Sequence, residues 1–113
     1  MTNKVNIQYT ETFENSMNDV IEHLKQWSEV QDVIEKVESL LDTFEAQVSE
    51  NPNIYSRCSE LVELGVTNIR DYTRAGFRLL YEVMDEDTVI GLILLRQRQD
   101  ISMALVDYCI LYK

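Results

Sequence analysis

Five of the six arginines in this 113-residue chain lie within residues 69–98. They are Arg70, Arg74, Arg78, Arg96 and Arg98. Guanidinium groups carry a permanent charge and donate several hydrogen bonds in a fixed plane, so they suit carboxylates, phosphates and protein interfaces. The cluster predicts a binding surface for a protein target or partner, or for RNA.

The charge of the rest of the chain narrows these choices. The formal net charge is −10, and residues 1–60 carry −8 of it while residues 61–113 carry −2. Nucleic-acid binding depends on lysines and arginines that neutralise phosphates, so this balance argues against general affinity for nucleic acid. The acidic half is expected to be a solvated helical surface rather than a dedicated site for a basic partner.

Composition predicts one domain over residues 1–113 in the reduced cytoplasm. Cys58 and Cys109 are two thiols without CxxC spacing, so a disulfide is not expected. The apolar run at 89–95 is far shorter than the roughly 20 residues of a membrane-spanning helix, so no membrane is expected. His23 has no second histidine or cysteine pair near it, and neither a metal nor a cofactor is expected.

Two helices should precede the arginine segment. Residues 4–9 alternate apolar and polar as in a short strand, and Thr10 or Thr12 offers an N-cap for a first helix. Apolar residues at helical spacing then form two stripes, and Asn51-Pro52 closes the second helix. The first stripe is Phe13, Met17, Val20, Ile21, Leu24 and Trp27, and the second is Val33, Ile34, Val37, Leu40, Leu41, Phe44 and Val48.

Residues 69–98 predict a three-stranded antiparallel meander. In the middle strand Phe77, Leu79 and Tyr81 alternate with Arg78, which gives a core face and a working face. A turn over 73–76 precedes that strand, and Asp85–Asp87 follows it. The run 89–95 fits a strand covered on both sides. Residues 53–64 fit a packed loop or a short helical turn, Asp100 should cap a last short helix, and 110–113 should form an extended tail. The order βααβββ predicts a two-layer α+β domain with the helical hairpin on an antiparallel sheet.

This order of elements, with the strings NIRDY, GFRLLYEV and LLRQRQD, resembles the RelE/ParE superfamily of toxins from type II toxin–antitoxin systems, and the ParE-like branch in particular. The resemblance covers nearly the whole chain, and its most specific part is residues 76–83. It implies a toxin that a cognate antitoxin neutralises, with the two proteins forming a hetero-oligomer. ParE-like members inhibit DNA gyrase, whereas RelE-like members cut messenger RNA on the ribosome.

The residues favour the gyrase alternative. RNA cleavage needs a base, an acid and stabilisation of the phosphorane charge, and Arg78, Arg96 and Arg98 could supply only the last. RelE-like enzymes usually add lysines and a tyrosine near the C-terminus, but residues 61–112 contain no lysine. Tyr108 is the nearest tyrosine, and it is expected to pack. The catalytic residues of a ribonuclease would be these three arginines with Tyr108, and an acidic chain would be repelled by ribosomal RNA.

A structural role for the arginines is the remaining alternative. Arg70, Arg74 and Arg78 could pair with Asp71, Glu82 and the Asp85–Asp87 turn, which would leave a degenerate, nontoxic family member that binds only its antitoxin. If the arginines instead form the binding surface, replacing Arg78, Arg96 and Arg98 with alanine should abolish toxicity and leave the fold intact.

Overall fold

A helical hairpin packs on one face of a four-stranded sheet in a computed structural model that describes residues 5–99 and residue 101. The elements are β1 (Asn6–Tyr9), α1 (Glu11–Leu24), α2 (Val30–Glu50), α3 (Ser59–Glu63), β2 (Ile69–Arg74), β3 (Phe77–Asp85) and β4 (Thr88–Arg96). The predicted two-layer α+β fold is confirmed. The helix predicted from Asp100 and the tail at 110–113 lie outside the described residues, except for Ile101.

The sheet has the strand order β1-β4-β3-β2. Strands β2, β3 and β4 form the predicted antiparallel meander. Strand β1, however, pairs in parallel with β4, so the complete sheet is mixed and not antiparallel throughout. Parallel neighbours need a long crossover connection, and here the helices and two strands lie between β1 and β4. The first strand thereby becomes one edge of the sheet and β2 becomes the other.

Strand β4 is buried on both faces, as its apolar run predicted. Val89 and Leu94 belong to the helix-side core, which is the cluster between the sheet and the hairpin. Ile93 and Leu95 belong to the outer core, a second cluster on the opposite face. The other members of the outer core are Cys58, Leu61, Ile69, Leu80 and Ile101. Helix α3 brings Leu61 to this face, so the short-helix alternative for residues 53–64 is correct.

Residues at the two ends of the helical hairpin determine where it begins and where it stops. The Thr10 side chain accepts a hydrogen bond from the Phe13 amide at 3.0 Å and caps α1, and α2 stops at Glu50, before the predicted Asn51-Pro52 break.

The prediction for Trp27 was wrong. Helix α1 ends at Leu24, so the helical phase does not extend to Trp27, which is 69% exposed.

Two glycines meet specific backbone demands. Ala75 and Gly76 have φ angles of 54° and 87°, and positive values at both central residues close the β2–β3 hairpin as in a type I′ turn. Gly91 lies where the Tyr9 ring crosses β4, and a Cβ there would approach the ring to 2.6 Å. The Tyr9 hydroxyl also donates to Glu45 at 2.6 Å, so the same ring joins β1 to α2.

A buried serine fastens α1 to β4. The Ser16 hydroxyl donates to the Phe13 carbonyl at 2.8 Å and accepts from the Leu94 amide at 2.9 Å. The Leu94 amide lies beyond the residues of β4 that pair with β1. The hydroxyl therefore provides an acceptor for a buried backbone N–H that β1 does not pair with.

We predict that Ser16→Ala lowers the free energy of unfolding by about 1–3 kcal/mol, the cost of a buried amide without an acceptor. Ser39 is an exposed serine inside α2, so Ser39→Ala should be neutral or slightly stabilising because alanine is the better helix former. Urea denaturation of the two variants measures the difference. Equal stabilities would show that the Ser16–Leu94 contact contributes nothing.

Candidate functional site

Arg78 is held by two carboxylates on the outer face of the sheet. Its Nη1 and Nη2 donate to the two carboxylate oxygens of Glu60 at 2.8 and 3.0 Å. Nη2 also forms an ion pair with Asp71, and Nε lies 3.4 Å from the other Asp71 oxygen. The Arg78 cluster, consisting of Arg78, Glu60, Asp71 and the neighbouring Cys58, therefore joins α3, β2 and β3.

Electrostatics in the Arg78 cluster favour the charged pair. The hydrogen bonds that Arg78 donates lower the pKa of Glu60 to about 2, and the same bonds to the Glu60 carboxylate raise the pKa of Arg78. Burial raises the pKa of the Cys58 thiol, so Cys58 is an unreactive thiol at neutral pH. The cluster consequently offers neither a free base nor a nucleophile.

The same cluster contains a set of metal-ligand types. One ligand atom from each of Cys58, Glu60 and Asp71 lies within 4.8 Å of the others. The Arg78 guanidinium lies among them and contacts all three, including the Cys58 sulfur at 3.7 Å. The fixed positive charge of Arg78 in that position competes with a metal cation. We therefore interpret these three side chains as partners of Arg78 and not as metal ligands.

Arg96 and Arg98 line a separate cationic pocket on the helix side of the sheet. Arg96 pairs across the strands with Phe77, a helix-side residue, whereas Arg78 pairs with Leu95 of the outer core. The pocket has a volume of about 430 Å³. It is lined by Leu24, Lys36, Ala75, Gly76, Phe77, Arg96, Gln97 and Arg98. Lys36 joins the two arginines from α2 and was not identified from the sequence.

The two remaining predicted arginines lie at the β2 edge. Arg70 donates from Nη1 to the Tyr55 carbonyl at 2.7 Å, which ties the loop before α3 to the strand. Arg74 is exposed at the end of β2, and its charge lies near Tyr55 and Tyr72. Tyr108, the tyrosine of the ribonuclease alternative, lies outside the described residues.

The five arginines thus fall into three places instead of one working face. Arg78 lies on the face opposite the helical hairpin and contacts α3, Arg96 and Arg98 line the pocket on the other face, and Arg70 and Arg74 lie on the edge strand. Of the predicted ion pairs, only Arg78 with Asp71 forms as expected within the described residues. Glu60, the second partner, is separated from Arg78 by 18 residues, and no short-range spacing links them.

The family model for the ParE toxin of the type II toxin–antitoxin system parDE matches residues 7–101. The chain belongs to the ParE toxin family. The matched segment runs from β1 to residue 101 and includes both the Arg78 cluster and the cationic pocket. The predicted resemblance to the RelE/ParE superfamily is confirmed.

Solved structures agree with this ParE-family fold. A chain from the chromosomal ParDE system of P. aeruginosa has a TM-score of 0.65 and 15% identity, and the alignment covers 82% of this chain and 96% of that one. A chain of the RelBE2 toxin–antitoxin complex from Mycobacterium tuberculosis has a TM-score of 0.54 and 18% identity, with coverage of 82% and 98%. No curated protein matches the chain in sequence.

The Arg78 cluster predicts a structural role for Arg78. Arg78→Ala should lower the free energy of unfolding by about 1.5–3 kcal/mol, because it removes charged hydrogen bonds and leaves Asp71 and Glu60 facing each other. Arg74→Ala, which truncates an exposed arginine, should change stability by less than about 0.5 kcal/mol. Thermal denaturation of both variants tests this, and equal melting temperatures would contradict it.

The pKa of Glu60 predicts the pH range in which the cluster stabilises the fold. Its folded value of about 2 is below the ordinary 4.5, so the unfolded chain takes up the proton first and stability falls as pH falls from about 4.5 through 2. Glu60→Gln should reduce the slope of stability against pH in that range. Glu63→Gln, on the same helix, should keep the wild-type slope in denaturation series between pH 2 and 6. A Glu60→Gln slope equal to that of the wild type would refute the assignment.

Proposed function

We propose that this ParE-family protein is a toxin that inhibits DNA gyrase by protein–protein contact and is neutralised by a cognate antitoxin. Family membership supports the toxin class over residues 7–101. One observation supports gyrase over the ribosome as the proposed target: Arg78 lies on one face of the sheet, and Arg96 and Arg98 line the pocket on the other face.

This division works against RNA cleavage. A phosphorane in one site needs its positive groups within hydrogen-bonding distance of the same phosphate, and a sheet separates these arginines. Arg78 is also surrounded by the carboxylates of Glu60 and Asp71, whose charges repel a phosphate. A protein target makes no such demand, because separate arginines can each contribute to an interface.

The antitoxin proposal has support from both the comparisons and the surface. The two similar structures come from a ParDE system and a RelBE2 toxin–antitoxin complex. In this chain an open groove beside α3 exposes Val62, and Arg57, Arg70 and Glu63 also line it, so basic side chains outnumber the acidic one there. Apolar and positively charged groups together suit a partner segment that carries apolar and acidic side chains.

Supercoiling by purified gyrase tests the proposal. The purified chain should block supercoiling of relaxed plasmid in a dose-dependent manner, and prior mixing with the antitoxin encoded beside it should restore supercoiling. Leu79→Asp, which places a charge in the helix-side core, should be inactive because it does not fold. Ribosome-bound messages incubated with the chain should remain uncut.

Each other result identifies a different function. Cleavage of messages in the ribosome would support the RelE-like ribonuclease and overturn the proposal. Normal growth and unchanged supercoiling, with antitoxin binding retained, would identify a nontoxic member that only binds its antitoxin.

A further inference from the structure

The cationic pocket holds three positive side chains that have no carboxylate partner in the described part of the chain. Lys36 reaches it from α2, Arg96 from the end of β4 and Arg98 from the turn that follows. None of the three belongs to an ion pair within residues 5–99. Arg78, by contrast, forms ion pairs with both Glu60 and Asp71. As far as residues 5–99 are concerned, these three cations are available to an external anion.

The pocket continues to the tip of the helical hairpin. A cleft of about 100 Å³ shares Leu24 and Lys36 with it and adds Ser28, Asp32 and Val33. A recess of about 520 Å³ shares Ser28 and Asp32 with that cleft and reaches Trp27. We call this continuous region the hairpin-end surface, from Trp27 through Lys36 to Arg98. Two acidic residues line this surface within the described part of the chain: Asp32 in the cleft with Lys36, and Glu29 in the recess with Trp27.

Trp27 is an unusual residue at the exposed end of this surface. It is 69% exposed, and its ring lies 4.9 Å from the His23 ring, which limits its freedom. Tryptophan and arginine are the residue types that most often contribute the largest share of binding energy in protein interfaces. A partly fixed tryptophan on the same surface as three cations that have no partner among the described residues has the composition of an interaction hot spot.

The charges select the kind of partner. Residues 10–50 carry eleven acidic side chains against two lysines, so a long polyanion such as DNA or RNA would be repelled along the helical hairpin. A localised acidic region of a protein can reach the three cations without that repulsion. The surface is also built from helix ends and a tight turn, which favours a partner that is already folded.

We propose that the hairpin-end surface is where this toxin docks on an acidic surface region of gyrase, with Trp27 and Arg96 as its anchors. This proposal rests on the function proposed above and adds the site of contact. The antitoxin uses other surfaces, such as the groove beside α3, so the two partners can be separated by mutation.

Charge reversal in the purified full-length chain tests the docking site. The triple variant Lys36→Glu, Arg96→Glu, Arg98→Glu should raise the concentration that half-inhibits gyrase by about 100-fold or more, and Trp27→Ala by about 10-fold, as for hot-spot residues. Arg96→Lys should retain most of the inhibition because it keeps the charge. Ser39→Glu adds a negative charge on the exposed side of α2, outside the hairpin-end surface, and should inhibit like the wild type. All variants should keep their helical circular dichroism, since these side chains lie at the surface.

The outcomes separate the two proposals. Wild-type protein that fails to inhibit gyrase would refute the proposed function, and this inference with it. Wild-type inhibition that the triple variant and Trp27→Ala both retain would overturn the docking site alone. A triple variant that still inhibits gyrase but no longer binds the antitoxin would also overturn it, because the surface would then belong to the antitoxin.

Discussion

Burial of β4 on both faces is the constraint on which the rest of the structure depends. The strand contributes Val89 and Leu94 to the helix-side core and Ile93 and Leu95 to the outer core. Covering its two faces requires the helical hairpin on one side and α3 on the other. Pairing along its two edges requires β1 and β3. Each remaining element therefore packs against this strand or extends the sheet around it.

This arrangement also decides what the arginines can do. Alternation along β3 places Arg78 on the face that α3 covers, where Glu60 and Asp71 neutralise it. Arg96 lies on the opposite face and emerges near the tip of the helical hairpin, beside Leu24 and Lys36. Even with the outer face free, Arg78 and Arg96 would lie on opposite sides of the sheet. Because α3 occupies that face, one arginine stabilises the fold while others remain at the surface.

Much of the fold could be predicted from the sequence, because periodicity within one element reports which face is buried. The two helical stripes, the β3 alternation and the double-sided run of β4 are local patterns of this kind. The parallel pairing of β1 was not predicted, because the alternation of residues along a strand does not indicate which strand it pairs with. Trp27 was misplaced because the periodicity was extended past Leu24, where the helix ends. The candidate site was predicted only in part, because Glu60 and Lys36 come to the arginines through the tertiary fold.

The uneven distribution of charge gives the two layers different responses to ionic strength. The eleven carboxylates of residues 10–50 repel one another across water, and added salt screens them, since the Debye length is about 10 Å at 0.1 M. The side chains of the Arg78–Asp71 ion pair are largely shielded from solvent. Added salt therefore weakens this ion pair much less than it weakens the repulsion between the carboxylates. The helical hairpin should therefore tighten as salt is added while the β2–β3 ribbon changes little. In dilute buffer the repulsion between these carboxylates is strongest, so the hairpin is the layer that low ionic strength destabilises most.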